Sequence, residues 1–446
     1  MTPSTEDLWF VPLGGCGEIG MNLNLFGHDG RWLMVDCGVT FEETPQGNEV
    51  QMPDPHFISE RAESLVGIVA THAHMDHIGA LPYLADHFGC PIYTTPFTAA
   101  VLAPKLREAR SKAVVNIVHP GQSLALGPFQ LTWLPITHST PETNGLFIET
   151  AAGNFVHTAD WKIDPTPVVG QGFDRPLWQS LASKGVDAVV CDSTNAMNLG
   201  HSLSEADLYE GLLDLIQGAS GRIAIGCFAS NIARLQTLGR VASDTGRYLC
   251  LLGRSLISMT HAAKSCGYLS QDFDPIPPSD LGYLPPEEVM ILATGSQGEP
   301  GAALTRLAAN RHPILELAAG DRVVFSAKAI PGNEVRIAAM ENGLRALGAD
   351  VIHADQSNLP LHASGHPNAD ELMHMYRWLT PKLAIPVHGE LAHMRANAEL
   401  AKRAGINRQL VGENGDLFRI APAPSIMRSA VEVGRLCEER GRLVRV

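Results

Sequence analysis

The first two hundred residues alternate short apolar runs with polar, turn-rich clusters. LWFVPLGG, LNLFGHDG, RWLMVDCG, LVGIVATHAH, FQLTWLPITHS, GLFIETAAG, NFVHTAD and DAVVCDSTN each read as a strand ended by Gly, Asp, Asn, Ser or His. Between His77 and Gly89 the apolar positions of DHIGALPYLADHFG recur at helical spacing, with Asp76 suited to cap the first turn. From about residue 205 the rhythm changes. GRIAIGCFASN, RYLCLLGRS, EVMILATGSQGE, DRVVFSAK and ADVIHADQ are buried-type strands, and they alternate with helical patterns such as NIARLQTLGRVAS and NEVRIAAMENGLRALG. That alternation predicts a doubly wound parallel α/β sheet. After residue 356 the helix-like ADELMHMYRWL and the strand KLAIPVHGE return to the first style, so the α/β block reads as an insertion in a first domain. The expected division is 1–204 and 357–430 for the first domain, 205–356 for the insertion and 431–446 as a short tail, with APAPS the only loose stretch.

Composition narrows the class. The chain has 446 residues, 45% of them hydrophobic, enough for a large core in two or three domains. A formal net charge of −14 argues against a broad electrostatic grip on nucleic acid, though it leaves room for a local basic cleft. The eight cysteines are scattered without a C-x-x-C pair, which points to neither a zinc ribbon nor a disulfide framework and fits a reducing compartment. The N-terminus MTPSTEDLWFVPLGG lacks the basic and apolar regions of a signal peptide, and no apolar stretch approaches the ~20 residues of a membrane span. A cytoplasmic location is the expectation.

The candidate chemistry sits in THAHMDH, residues 71–77, directly after the apolar run LVGIVA. Four further donors each end a predicted strand: His138, Asp160, His388 and Asp36. Side chains leaving one edge of a sheet converge even when far apart in sequence. His72 and His74, two apart in an extended loop, point to one side, while Asp76 and His77 follow the turn into the helix and can face a second ion. Imidazole with carboxylate suits zinc or manganese better than magnesium or calcium. Two ions ~3.5–4 Å apart lower the pKa of a shared water to ~7 and stabilise both oxygens of a phosphoryl displacement. Asp36 is expected behind the donors, orienting a histidine.

These residues carry a resemblance. His72-x-His74-x-Asp76-His77 with His138 and Asp160 resembles the metallo-β-lactamase superfamily, which implies an αββα sandwich. CDSTN (191–195), HASGH (362–366) and PVHGE (386–390) resemble the three motifs of the β-CASP nucleases, in which an α/β domain interrupts that sandwich. GGCGEIGMN (14–22), FASNIARLQ (228–236), GRS (253–255), TGSQGEP (294–300) and IPGNE (330–334) are similar to bacterial ribonuclease J, from about residue 8 to about 420. The resemblance implies that His72, His74, His138 and Asp160 hold one ion, and that Asp76, His77, His388 and the shared Asp160 hold the other. Histidine at position 74, where a carboxylate would favour iron chemistry in related sequences, favours two zinc ions, with manganese second. Asp192 and His366 resemble a carboxylate–imidazole pair that protonates the departing 3′ oxygen. His362, Ser364, Ser230, Asn231 and Arg254 resemble a grip on the 5′-terminal phosphate of RNA, a pocket that would enforce 5′-to-3′ removal of nucleotides.

The expected partner is thus single-stranded RNA with a 5′-monophosphate end, cut by exonuclease and also endonuclease action. Two departures bear on this. The resemblance implies oligomerisation through a C-terminal domain beyond the hydrolase fold, whereas this chain stops at Val446; a homodimer stays open without that support, and the protein partners are unknown. Residues 205–355 hold 12 Lys/Arg against 17 Asp/Glu, so affinity would rest on the metal centre and on Arg222, Arg234, Arg254 and Arg306, with a shallow salt dependence. A DNA nuclease, a small-molecule ester or lactone hydrolase on the same scaffold, and a non-enzymatic RNA-binding subunit are the competing readings.

Overall fold

The computed structural model describes residues 1–44, 47–330 and 332–446; Pro331 of the IPGNE stretch lies outside them. The chain divides into two units. The first comprises Met1–Pro165, Gly172–Ser202 and Gly365–Val446, and the second Thr166–Gln171 and Leu203–Ser364.

Among the described residues the first unit holds an eight-stranded and a seven-stranded sheet. The eight-stranded sheet runs Ser425–Met427, Leu417–Ala421, Leu8–Gly14, Leu23–His28, Arg31–Val35, Leu65–Val69, Ile92–Thr94, Val115–Ile117. The other runs Arg408–Gln409, Leu383–Val387, Ala188–Asp192, Gly153–His157, Asn144–Thr150, Phe129–Pro135, Ser123–Leu126. The period-2 alternation of a strand decides how each layer packs. Phe155, Ala188, Val190 and Ile385 join Phe10, Phe26, Leu33 and Val35 in a core between the two sheets. Their neighbours Val156, Val189 and Ala384 face the other way, onto Trp178 and the helix residues Leu372, Met375, Tyr376 and Leu400. Sheet on sheet with helices outside is the expected αββα sandwich.

The second unit is a five-stranded sheet in the order Tyr248–Leu252, Val289–Ala293, Ile223–Gly226, Arg322–Phe325, Asp350–His353, every pairing parallel. Helices Ile232–Asp244 and Glu334–Ala346 occupy the two helical patterns of the sequence. The return to the first unit falls at Gly365 rather than near 357, because the segment before it stays bonded to the second unit: Leu361 is buried and its carbonyl accepts from Ser326 Oγ at 2.7 Å.

Three expectations need correction. Residues 431–446 are no tail: Arg435–Glu439 pairs with Gly47–Pro53 and with Arg442–Arg445, giving a further sheet with Cys437 buried and Arg435 bonded to Glu18, Glu42 and Gln51. APAPS is not loose but turns the hairpin between Leu417–Ala421 and Ser425–Met427. The helix expected over 77–89 is two helices, Met75–Ile78 and Leu81–Phe88. Tertiary bonds interrupt its ladder, since the Asp76 carbonyl accepts from Asn22 N–H at 2.9 Å and Ala80 N–H donates to Cys37 O at 3.0 Å. The N-cap position falls to His74, and Asp76 lies in the first turn with its carboxylate turned elsewhere.

Candidate metal centre

Strand ends and the loops that follow them deliver the donors. His72 and His74 follow Leu65–Val69, His138 follows Phe129–Pro135, Asp160 follows Gly153–His157, and His388 follows Leu383–Val387. One ligand atom from each of His72, His74, His138 and Asp160 lies within 4.8 Å of the others, and the same holds for Asp76, His77, His388 and Asp160. A single oxygen, Asp160 Oδ2, belongs to both groups. It stands 3.8 Å from His72 Nε2, 3.7 Å from His138 Nε2, 3.2 Å from His77 Nε2 and 3.7 Å from His388 Nε2.

Each imidazole has one nitrogen tied outward and the other turned in. His72 Nδ1 bonds Thr71 Oγ1 at 3.0 Å, His77 Nδ1 donates to Asp36 Oδ2 at 2.7 Å, His138 Nδ1 donates to the Gly365 carbonyl at 2.6 Å, and His388 Nδ1 donates to Asn22 Oδ1 at 3.0 Å. His74 is reversed: its Nε2 lies 3.5 Å from Ser139 Oγ, and its Nδ1 faces His72 Nε2 at 3.0 Å and His138 Nε2 at 3.1 Å. Outward partners of this kind select the tautomer and aim the remaining lone pair. Ligands ~2.0–2.1 Å from a tetrahedral ion stand about 3.3 Å apart, so the spacing of these inward atoms fits a divalent cation in each group. Bare imidazole nitrogens at that spacing, without a cation, repel.

Charge agrees with geometry. Burial pushes the His72 and His138 imidazoles well below their ordinary range and His74 down to about 4. Burial alone would raise Asp160, but the His388 and His77 imidazoles hold it well below the usual carboxylate range. Burial would likewise lower His77, but the carboxylates of Asp160, Asp76 and Asp36 outweigh it and carry the ring well above the ordinary imidazole range. Neutral imidazoles beside ionised carboxylates are the state in which a metal binds without first displacing protons, and His77, raised by the carboxylates around it, is the ligand at which a cation would take the place of a proton.

The backbone is bent to suit. Asp36, Ala159 and His388 take φ of +64°, +52° and +51°, at the turns that aim Asp36, Asp160 and His388. Gly365 is required for close approach: a Cβ there would lie 2.6 Å from His138 Cε1.

Asp192 and His366 do meet: His366 Nδ1 donates to Asp192 Oδ2 at 2.8 Å, and the same nitrogen is 3.9 Å from Asp160 Oδ2. Burial disfavours the imidazolium, yet the Asp192 and Asp160 carboxylates carry its pKa up to about 9. Asp192 is held in turn by Asn397, whose Nδ2 donates to the Asp192 carbonyl at 2.9 Å while Tyr376 donates to its Oδ1 at 2.7 Å. Glu371, fully buried, accepts from Ile163 N, Ser202 N, Ser202 Oγ and Asn368 N, each at 2.8 Å. It thereby links the segments that carry Asp160, Asp192 and His366. Pattern reading missed Asn22, Thr71, Gly365 and Asn397, because an amide, a hydroxyl or a carbonyl has no spacing signature; it also missed Glu371, whose signal was the capping-box spacing Asn368-x-x-Glu371 at the start of Ala369–Leu379. Asn22, Thr71 and Gly365 lie inside the motifs quoted above and Glu371 inside the helix pattern ADELMHMYRWL; Asn397 alone lies outside them.

The residues expected to grip a phosphate belong to the second unit and fare unequally. Arg254 is exposed at the start of helix Arg254–Ser265, and among the described residues no carboxylate pairs with it. Ser230, His362 and Ser364 are partly exposed. Asn231 is not available: its Oδ1 caps Ile232–Asp244 by accepting from Arg234 N at 2.9 Å, and its Nδ2 donates to Glu205 at 2.7 Å. Nor is Arg234, 1% exposed and paired with Glu205, free to meet a substrate.

An αββα sandwich that aims paired His/Asp donor sets from its strand ends, interrupted by a parallel α/β domain, defines a metallo-β-lactamase-type hydrolase with a β-CASP insertion. Family profiles match accordingly: "Metallo-beta-lactamase superfamily" over residues 21–182, "Ribonuclease J, beta-CASP domain" over 220–344 and "Zn-dependent metallo-hydrolase RNA specificity domain" over 360–410. A curated relative from Sinorhizobium meliloti, named Ribonuclease J, is 40% identical over 443 residues, covering 97% of this chain and 78% of the relative. Another of that name, from Mycobacterium tuberculosis, is 37% identical over 429 residues, covering 95% and 76%. The chain belongs to the ribonuclease J family. A solved structure described as a protein of unknown function from Enterococcus faecalis V583 shares the fold, with a TM-score of 0.63 at 13% identity over 93% of this chain and 100% of that one. No helix among the described residues is long and apolar enough to cross a membrane.

Proposed function

We propose that this chain is a metal-dependent ribonuclease that hydrolyses phosphodiester bonds of single-stranded RNA. It works from a 5′-monophosphate end, with endonucleolytic cutting as a second mode. The observation that carries the reading is the convergence of inward-turned imidazole nitrogens on one shared oxygen, Asp160 Oδ2. Membership of the ribonuclease J family and the RNA-specificity profile over 360–410 support RNA as the substrate.

In this reading His72, His74, His138 and Asp160 hold one ion, and Asp76, His77, His388 and Asp160 hold the other. The imidazole-rich set favours zinc, with manganese second. When bound, such a pair lowers the pKa of a shared water to about 7 and offsets the charge of the phosphate oxygens. The chain's own groups do the rest. Asp36, Thr71, Gly365 and Asn22 keep the imidazoles in the ligand tautomer. Asp192 holds the Nδ1 proton of His366, leaving Nε2 to carry the proton for the departing 3′ oxygen, and the carboxylate stabilises the imidazolium beforehand. Ser230, His362, Ser364 and Arg254 are the proposed donors to the 5′ phosphate.

The test uses 5′-labelled RNA and protein stripped with a chelator, then reloaded with zinc. Stripping should abolish cleavage and lower the melting temperature, and zinc should restore both. Asp76→Ala and His77→Ala should stay inactive after reloading and bind fewer ions. His366→Ala should keep its metal and lose roughly 10²- to 10⁴-fold in rate. Full activity in the stripped protein, or in the two metal-site variants, would sink the reading.

A further inference from the structure

Within the second unit lies a closed, buried network that the reaction itself does not use. Arg234 is 1% exposed, and it donates Nε to Glu205 Oε2 and Nη2 to Glu205 Oε1, both at 2.9 Å. Its Nη1 donates to the Ser326 carbonyl and to Ser326 Oγ, both at 2.6 Å, and reaches the Leu361 carbonyl at 3.4 Å. Ser326 Oγ in turn donates a hydrogen bond to Leu361 O at 2.7 Å. Asn231 Nδ2 closes the circuit onto Glu205 Oε1 at 2.7 Å.

The segments joined in this way are telling. Asn231 directly follows Ser230, Leu361 directly precedes His362 and is three residues before Ser364, and Ser326 directly follows the strand Arg322–Phe325. A buried ion pair is poor stabilisation, because the desolvation of two charges offsets most of their attraction and an apolar pair of the same volume packs as well. What a bidentate fork does provide is fixed geometry, since its planar donors accept only one arrangement of partners. A pocket for a small anion depends on that geometry, because donors that drift lose their common focus.

We infer that Arg234 and Glu205 are positioning residues for the 5′-phosphate grip: they set the separation of the Ser230 loop from the His362–Ser364 segment and thereby govern discrimination between RNA ends. This rests on the function proposed above. Neither residue touches the substrate. The clamp acts through the two backbone segments that carry the donors.

The experiment compares kcat/KM on one single-stranded RNA bearing a 5′ monophosphate and on the same RNA bearing a 5′ hydroxyl, using full-length, zinc-loaded protein. The main variant is Arg234→Met with Glu205→Leu, which removes both charges together and keeps the volume. Arg234→Lys retains a charge without the fork, and Ser326→Ala removes only the two hydroxyl bonds, from Arg234 and to Leu361, so each is a milder change than the double variant. The preference for the monophosphate should fall by roughly 10- to 100-fold in the double variant, the cost of a misplacement of about 1 Å, and the loss should appear in KM. Cleavage of the 5′-hydroxyl RNA, the metal content and the pH profile should not change, whereas general loosening of the fold would move all three. Ser326→Ala should shift the same ratio by a smaller factor. A preference unchanged in the folded variants, or a fall shared equally by both RNAs, overturns the inference alone. A wild-type protein indifferent to its 5′ end overturns the proposed polarity, and this inference with it.

Discussion

Replacing Asp36 by asparagine isolates how much of the metal centre depends on a residue that contributes no ligand to it. Asp36 is fully buried; its Oδ1 accepts from Thr71 N at 2.8 Å, and its Oδ2 accepts from Thr71 Oγ1 at 2.9 Å and His77 Nδ1 at 2.7 Å. An amide offers one acceptor and one donor in the same outline. Turned one way, its NH₂ meets His77 Nδ1–H; turned the other, it meets the Thr71 N–H. Either orientation strands a buried donor, which costs about 1–3 kcal/mol. The backbone adds nothing to this, because asparagine tolerates the φ of +64° at position 36, whereas Asp36→Ala would add about 1–2 kcal/mol of strain. His77 also loses the carboxylate that fixes its tautomer, a change worth roughly 10- to 100-fold in metal affinity. The assay is a zinc competition titration against a chromophoric chelator, with urea unfolding of the metal-free proteins alongside. Asp36→Asn should bind at least one zinc about tenfold more weakly and be less stable without metal by about 1–3 kcal/mol. A folded Asp36→Asn protein with zinc affinity within twofold of wild type would refute the claim that this carboxylate holds His77 in place.

Further outcomes follow from the same geometry. Glu371→Gln exchanges one acceptor oxygen for an NH₂ group that faces backbone N–H donors of Ile163, Ser202 or Asn368; it should lower stability by about 2–4 kcal/mol in a urea melt and reduce kcat more than KM, and an unchanged melt would contradict the linking role. The thiols offer an independent check on packing: Cys16, Cys37, Cys191, Cys227, Cys250 and Cys437 are buried, and Cys90 and Cys266 are partly exposed. Burial pushes Cys191, Cys227 and Cys250 up to about 12, so almost no thiolate forms on them at pH 8. Ellman's reagent should therefore label at most Cys90 and Cys266 quickly in native protein and all eight thiols in guanidinium; a third fast thiol would show that the packing is wrong.

Much of the architecture was legible because packing follows period. The two-residue alternation of NFVHTAD is what sends Phe155 into the inter-sheet core and Val156 onto the helices. The five buried runs after residue 205 became the five parallel strands because runs with no polar face can only be covered on both sides. Short or charged strands escaped notice: Ile92–Thr94 and Val115–Ile117 are too brief to show a period, and Arg435–Glu439 with Arg442–Arg445 is so charged that it read as a tail. Partner supply also defeats pattern. Arg234 looked like an RNA contact because nothing local reveals that Glu205, twenty-nine positions earlier, lies against it. Asn231 looked like a phosphate donor until both ends of its amide were accounted for.

By itself the chain order determined the inventory: which donors exist, that each follows a strand, and that the alternation of strand and helix breaks the sandwich between the two halves of the first unit. These are local properties, set by residue type and by periods of 2 and 3.6, and they can be read before folding. Only the tertiary structure decided which nitrogen of each imidazole points inward and that one oxygen of Asp160 serves both donor groups. It also decided that Asn22, Gly365 and Asp36 do the aiming. Those outcomes depend on hydrogen bonds between segments up to 366 positions apart, and the pairing of such groups follows from how sheets and loops pack, which no stretch of sequence carries alone.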